Sequence, residues 1–372
     1  MTGPDAIQTA MDQAVQNGIF PGAVLAVRIA DELRTLVVAG RLSTEPSGDP
    51  VQPTTIYDLA SLTKPLATVT SILLLVQEKK LGLQKPLQDV LPELDKSPIG
   101  SARICDLLTH SSGLPGWRPL YERLGGKGLV AGETPLPAIR QAVIQLIGEE
   151  PLVHGRGERS LYSDLGFILL GCAVERLSGV SLDDYFEKAI AWPLGARPLL
   201  FTPLQSRSAT DAIDPSMIAP TERDEQTGRC LRGEVHDDNA AAMGGVAGHA
   251  GLFGTAETVL TVSGAWLRAH RGRKSILKQE LVREFTKRQI QIPQSSWALG
   301  WDTPSPPSSS GSYFTSGSFG HLGYTGTSLW IDPERELEVV LLSNRVHPSR
   351  TNEKIKPFRP FIHDLVVREF RV

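Results

Sequence analysis

Apolar residues recur at helical spacing near the start of the chain, at Ile7, Ala10, Met11, Ala14 and Val15, and the pattern stops at Asn17-Gly18, a common helix ending. An amphipathic helix over residues 5–18 is predicted. Two β-rich runs follow at 23–29 and 34–39, joined by the polar Ala30-Asp31-Glu32, which together predict a hairpin. Residues 61–77 are so apolar that they read as a buried helix. From 82 to 248 the chain is broken by Pro and Gly into short helices and loops, with almost no alternating runs. A helical stretch at 256–271 precedes a return of strand patterns at 297–301, 318–322, 327–331 and 337–342, punctuated at Gly323, Gly326 and Asp332-Pro333. Residues 303–317, nearly all Ser, Pro, Gly and Thr, form a loop between two of these strands. Residues 357–370 read as a closing helix.

Strands at both ends with helices between them predict an α+β fold, an α/β sandwich. Its antiparallel sheet is built from both chain ends and flanked by helices, and a mainly helical domain is inserted through its middle. The boundaries read as 1–80 with 250–372 for the discontinuous sheet domain and 81–249 for the insert. Such an arrangement leaves a cleft between two lobes, where ligand sites form.

Composition narrows the function. With 372 residues, 41% of them hydrophobic and 21% charged, the chain can bury a large core. A net charge of -3 with scattered Lys and Arg offers no basic patch for phosphates, so nucleic acid is not an expected partner. Cys105, Cys172 and Cys230 are far apart with no CxxC pair and read as reduced thiols. Residues 1–15 carry Asp5 and Asp12, no basic segment and no apolar stretch of signal-peptide length. The best later apolar run, 71–76, is far short of a bilayer span. These features together predict a cytoplasmic location and no membrane partner.

The chemistry centres on Ser61-Leu62-Thr63-Lys64. On a helix, a hydroxyl and an amine three residues apart share one face. A serine hydroxyl is a poor nucleophile at neutral pH and needs an adjacent base, which a Lys supplies only where its surroundings lower its pKa. Pro65, lacking an N–H, fits only the first turn, so Ser61 is expected at the exposed N-terminal end of its helix. The spacing alone equally describes a helix cap, and Ser275-Ile276-Leu277-Lys278 repeats it in a charged stretch.

The wider context is more specific. Residues 57–68, Tyr-Asp-Leu-Ala-Ser-Leu-Thr-Lys-Pro-Leu-Ala-Thr, closely resemble the active-site region of class C β-lactamases, D-alanyl-D-alanine carboxypeptidases and their esterase relatives, the penicillin-recognising serine hydrolases. Tyr162-Ser163-Asp164 matches that family's Tyr-x-Asn motif, and His321-Leu322-Gly323 matches its Lys-Thr-Gly motif in a His-x-Gly form. Residues 107–114, Leu-Leu-Thr-His-Ser-Ser-Gly-Leu, look like a further hallmark, and the resemblance extends over most of 5–345. It implies a β-lactamase/transpeptidase-like fold and catalysis by Ser61, Lys64 and Tyr162, with an oxyanion hole from the backbone N–H groups of Ser61 and Tyr324. Asp164, His321 and Gly323 would meet the substrate, and no cofactor would take part. The expected partner is a small ester, amide or peptide. Hydrolysis of a small ester or amide is the leading expectation. A D-amino-acid peptidase or weak β-lactamase is the alternative, and a catalytically silent binding protein of the same fold is the non-enzyme rival.

Two departures bear on substrate choice. Asp164 replaces an amide that can donate to a substrate carbonyl, and its carboxylate would repel an anionic ligand. His321 replaces a permanent cation, so attraction for a substrate carboxylate is expected to be weaker and dependent on pH.

Other candidates carry plainer readings. The eight His residues include no HExxH and no close cluster, so no metal site is expected. His110 reads as a structural turn residue. His236 and His249 flank the Gly-rich segment 243–251, which in relatives lies near the cleft. Trp301 and Trp330 read as core, and Trp117, in the loop after Gly113, is the favoured wall of an acyl pocket, with Trp297 a further candidate. No GxSxG motif occurs. The oligomeric state is not legible.

Overall fold

The computed structural model describes residues 3–45, 48–202, 213–224 and 227–372. The opening helix Gly3–Gln16 lays Ile7, Met11 and Ala14 into the core, as their spacing predicts. The hairpin follows as β1 (Gly22–Ile29) and β2 (Glu32–Gly40), paired antiparallel. Its two connecting residues, Ala30 and Asp31, have φ of 50° and 64°, the conformation that matches a tight turn to the strands' twist.

On its other edge β1 pairs with β8 (Leu337–Ser343), which continues through β7 (Ser328–Asp332) to β6 (Phe319–Leu322). The sheet order β2-β1-β8-β7-β6 therefore joins strands from both ends of the chain. Strand periodicity explains why β1 is apolar throughout. Ala23, Leu25 and Val27 face the opening helix and the closing helix Ile355–Phe370, while Val24 and Ala26 face the core that includes helix Ala256–His270.

Two local expectations are corrected. Residues 297–301 are not a strand: Ala298 N donates to Trp301 O at 2.8 Å, and Gly300 at φ 82° turns the chain beneath Val69. The aromatic and apolar character there reflects burial of Ala298, Leu299 and Trp301 in a loop, not sheet pairing. The middle of the chain also contributes to a second sheet, in which β5 (Leu252–Gly254) lies between β3 (Tyr57–Asp58) and β4 (Leu199–Phe201). These strands of two or three residues are too short to show an alternating pattern.

The buried helix predicted over 61–77 is built from three windings. A 3₁₀ turn (Ala60–Leu62) leads to a π-helical stretch (Lys64–Val69) and then an α-helix (Thr70–Gln77). The whole run Ala60–Gln77 has the length and apolarity of a membrane span, longer than the run counted in the sequence, but 83% of it is buried inside the protein itself. It is the core helix that carries Ser61 and Lys64 at its start.

Candidate active site

The backbone entering Ser61 is held by Asp58, whose two carboxylate oxygens accept the N–H groups of Ala60 and His236, each at 2.8 Å. Ala60 adopts φ 48°, a left-handed conformation that costs an alanine about 1–2 kcal/mol. Ser61 lies in the 3₁₀ turn and Lys64, three residues on, opens the next winding on the same face; its Nζ donates to Ser61 Oγ at 2.8 Å.

Lys64 is fully buried; its Nζ donates to Ser61 Oγ and to the His249 carbonyl at 3.1 Å and stands in an ion pair 2.7 Å from Asp164 Oδ1. The His249 carbonyl gets this close because glycines let two backbones touch. A Cβ on Gly248 would stand 2.1 Å from the Phe167 carbonyl oxygen, and one on Gly171 would stand 2.8 Å from Gly248. Asp164 opens the helix Asp164–Ser178, where a carboxylate suits the helix dipole. Tyr162 precedes it, with its ring centroid 4.9 Å from Lys64 Nζ, so that the phenol and the Lys64 charge act on each other. Its ring packs among His110 (4.6 Å between centroids), Trp297 (5.6 Å) and His321 (6.0 Å).

The electrostatics of this cluster differ from the expectation for Lys64. Burial works to lower its pKa, but the Asp164 carboxylate and Tyr162 outweigh it, and the net shift is upward. Lys64 rests as an ammonium. Burial also raises the Tyr162 phenol, against the pull of the Lys64 charge. The carboxylate of Asp164, expected to repel anions, is instead compensated by Lys64 at ion-pair distance.

The third motif forms the opposite wall. His321 Nδ1–H donates to the Leu322 carbonyl at 2.8 Å, and burial, with the Lys64 and Arg359 charges, pushes its pKa down to about 3. His321 is thus neutral across the physiological range, so the pH-dependent attraction expected of it is absent. After it, Gly323 N–H donates to Thr327 O at 2.8 Å, closing a turn that is tied to the nucleophile's approach segment. Thr325 Oγ1 donates to Asp58 O at 2.7 Å and Thr327 Oγ1 to Leu59 O at 3.0 Å. Among the described residues, neither the Ser61 nor the Tyr324 amide N–H has an acceptor. Ser61, Tyr162, Asp164, His321, Gly323, Tyr324 and Trp117 all line one cleft of about 760 Å³.

The Beta-lactamase family model matches residues 7–359. The chain belongs to the beta-lactamase family of serine hydrolases. It is 32% identical over 369 residues to an N-acetylmuramyl-L-alanine amidase of Bacillus subtilis (strain 168), covering 91% of this chain and 80% of that one. It is 30% identical over 325 residues to a Salmonella agona (strain SL483) protein named "Putative D-alanyl-D-alanine carboxypeptidase", covering 82% of this chain and 72% of the relative. The solved structure of EstCE1, described as a hydrolase with promiscuous acyltransferase activity, shares the fold at a TM-score of 0.74, with 22% identity and 97% of each chain covered.

Other residues fall into place around this beta-lactamase-family cleft. His110 is buried and accepts the Ser163 N–H at 3.0 Å, bracing the Tyr162-Ser163-Asp164 motif. His236 stacks at 5.9 Å on Tyr324 and also lines the cleft, whereas the His249 ring turns to Asp237 at 2.7 Å and only its carbonyl faces Lys64. Trp301 and Trp330 are core. Trp117, 45% exposed, and Trp297 are cleft walls. Sequence reasoning missed Asp58, Thr325, Thr327, Arg345 and Arg359. For Arg359 a signal existed: it lies on the buried stripe of the closing helix with Ile355, Phe358, Ile362 and Val366, where a charge is out of place. Among the described residues no His, Cys, Asp and Glu cluster suited to a metal ion occurs.

Proposed function

We propose that the protein hydrolyses a small ester or amide through an acyl-Ser61 intermediate. The observation that carries this is Lys64 Nζ, hydrogen-bonded to Ser61 Oγ and ion-paired with Asp164, with the Tyr162 ring centroid 4.9 Å away. In the form of the coupled Lys64–Tyr162 unit that has first lost one proton to solvent, Ser61 Oγ attacks the substrate carbonyl carbon and its proton enters that unit. The carbonyl electron pair moves onto oxygen, which the Ser61 and Tyr324 N–H groups receive; such donors are each worth about 3–4 kcal/mol in the transition state. The tetrahedral species expels the leaving group, which takes up the proton, and water then attacks the acyl ester by the reverse proton route. The names of the amidase and carboxypeptidase relatives support acyl chemistry and keep amide and peptide substrates in the reading.

Neutral substrates suit the charges beside Ser61, although Arg345, Arg350, Lys356 and Arg359 line the same cleft. His321 supplies no cation, and the Lys64 charge is already compensated by Asp164. The specificity constants of the wild type at neutral pH test this: kcat/KM for p-nitrophenyl acetate or butyrate is expected to exceed that for nitrocefin. Faster hydrolysis of nitrocefin would restore the β-lactamase reading. A D-alanyl-D-alanine peptide in the same panel tests the peptidase alternative.

A further inference from the structure

Two arginines, 6% exposed each, reach the turn that carries Tyr324 and lie along the same cleft. Arg359, on the closing helix, donates through Nη2 to Gly323 O at 2.6 Å and to Thr327 O at 2.8 Å. Arg345, just past β8, donates through Nε to Tyr324 O at 2.8 Å and lies 4.5 Å from the Tyr324 ring centroid. Among the described residues neither arginine has a carboxylate within ion-pair distance. Burial and the neighbouring Arg345 push the Arg359 pKa down to about 9, which leaves a cation at neutral pH. A buried charge without a counter-ion is expensive, so its retention asks for a role.

The atom that Arg359 contacts identifies the role. Gly323 O and the Tyr324 N–H belong to the same peptide group, and in a planar trans peptide the two point in opposite directions. A guanidinium donating to the carbonyl end draws electron density from the N–H end, and hydrogen bonds in series polarise one another, more so in a low-dielectric interior. We propose that Arg359 is a positioning residue of the oxyanion hole: it fixes the plane of the Gly323–Tyr324 peptide and polarises its N–H toward the developing oxyanion. The effect grows with charge on the substrate oxygen, so it favours the transition state over the bound substrate. Because it acts on the Tyr324 N–H, this inference rests on the acyl-Ser61 reading.

The test uses two neutral variants, Arg359→Gln and Arg359→Met, with Arg359→Lys as the variant that keeps the charge. Polarisation of one donor is a fraction of that donor's worth, so each neutral variant is expected to lose roughly 3- to 10-fold in kcat/KM for p-nitrophenyl acetate, with KM unchanged. The affinity for phenylboronic acid, whose tetrahedral adduct with serine places an oxygen in the oxyanion hole, is expected to fall by the same factor. Arg359→Lys is expected to recover most of both. Circular dichroism establishes which neutral variant is folded, and one folded variant suffices. A folded neutral variant with both constants intact overturns the proposal. So does a loss that appears in KM alone, or one that Arg359→Lys shares in full. A wild type in which Ser61 is never acylated overturns the parent reading instead, and this one with it.

Discussion

Asp164→Asn separates the charge of the second motif from its shape. The Lys64 ammonium and the Asp164 carboxylate stand 2.7 Å apart, and two unit charges at that distance attract by about 6 kcal/mol at an effective dielectric of ~20. Water takes a share of this, because the Asp164 side chain is 18% exposed, but the Lys64 side chain at 0% has no solvent of its own. The carboxylate favours the charged form of Lys64, which is why the Lys64 pKa lies above its ordinary value despite burial. With Asn in place, burial becomes the main influence left and it lowers the pKa. A group that must be unprotonated to accept the Ser61 proton then becomes competent at lower pH. The wild-type kcat/KM for p-nitrophenyl acetate is therefore expected to rise into the alkaline range, and the rising limb of Asp164→Asn to move acidward by more than about one unit, which needs only ~1.4 kcal/mol of lost attraction. The assay is the pH profile of both proteins from about pH 5 to about pH 10. Stability follows the same linkage. A folded-state pKa raised above the unfolded one contributes stability at neutral pH that is lost as pH rises through the folded value, so the variant's deficit in Tm is expected at neutral pH and narrows when alkaline. A rising limb that stays in place or moves upward would refute the reasoning.

The remaining expectations concern the opposite wall. Gly323→Ala puts a Cβ 1.9 Å from Thr327 Oγ1 and 2.6 Å from Leu59 O, so the turn must open, and kcat/KM is expected to fall by at least ~100-fold with Ser61 still present; a loss under tenfold would mean that the turn is not needed. Because burial holds the His321 pKa near about 3, the wild-type pH profile should carry no His321 inflection near neutrality, and His321→Lys should raise nitrocefin turnover; an inflection that His321→Gln abolishes would contradict this.

Ser61 and Lys64 stand out in the sequence because they lie three residues apart, and Tyr162 because its motif resembles the family's Tyr-x-Asn; the outer sheet was readable because β1, β2, β7 and β8 are long enough to show a pattern. What one dimension concealed were the relations between distant segments. The sequence shows Asp164 as a negative charge beside a cleft, but only the fold puts it against Lys64 and so turns a repulsive group into a partner. It shows His321 as a titratable replacement for a cation, while burial removes the titration from the working range. Arg359 is 36 residues from Gly323, and nothing in the local pattern connects them until the closing helix packs against the turn. The residues at 297–301 misled for the opposite reason: apolar and aromatic composition reports burial, and burial is shared by strands and by loops wrapped in core.

All of these expectations depend on Ser61 as the nucleophile, and a single labelling measurement addresses it. Intact-protein mass spectrometry after exposure to a fluorophosphonate probe is expected to show one adduct on the wild type, located by peptide mapping to Ser61, and none on Ser61→Ala. Equal labelling of the two proteins, or a wild type that stays unmodified by the probe and by activated esters, would contradict the account.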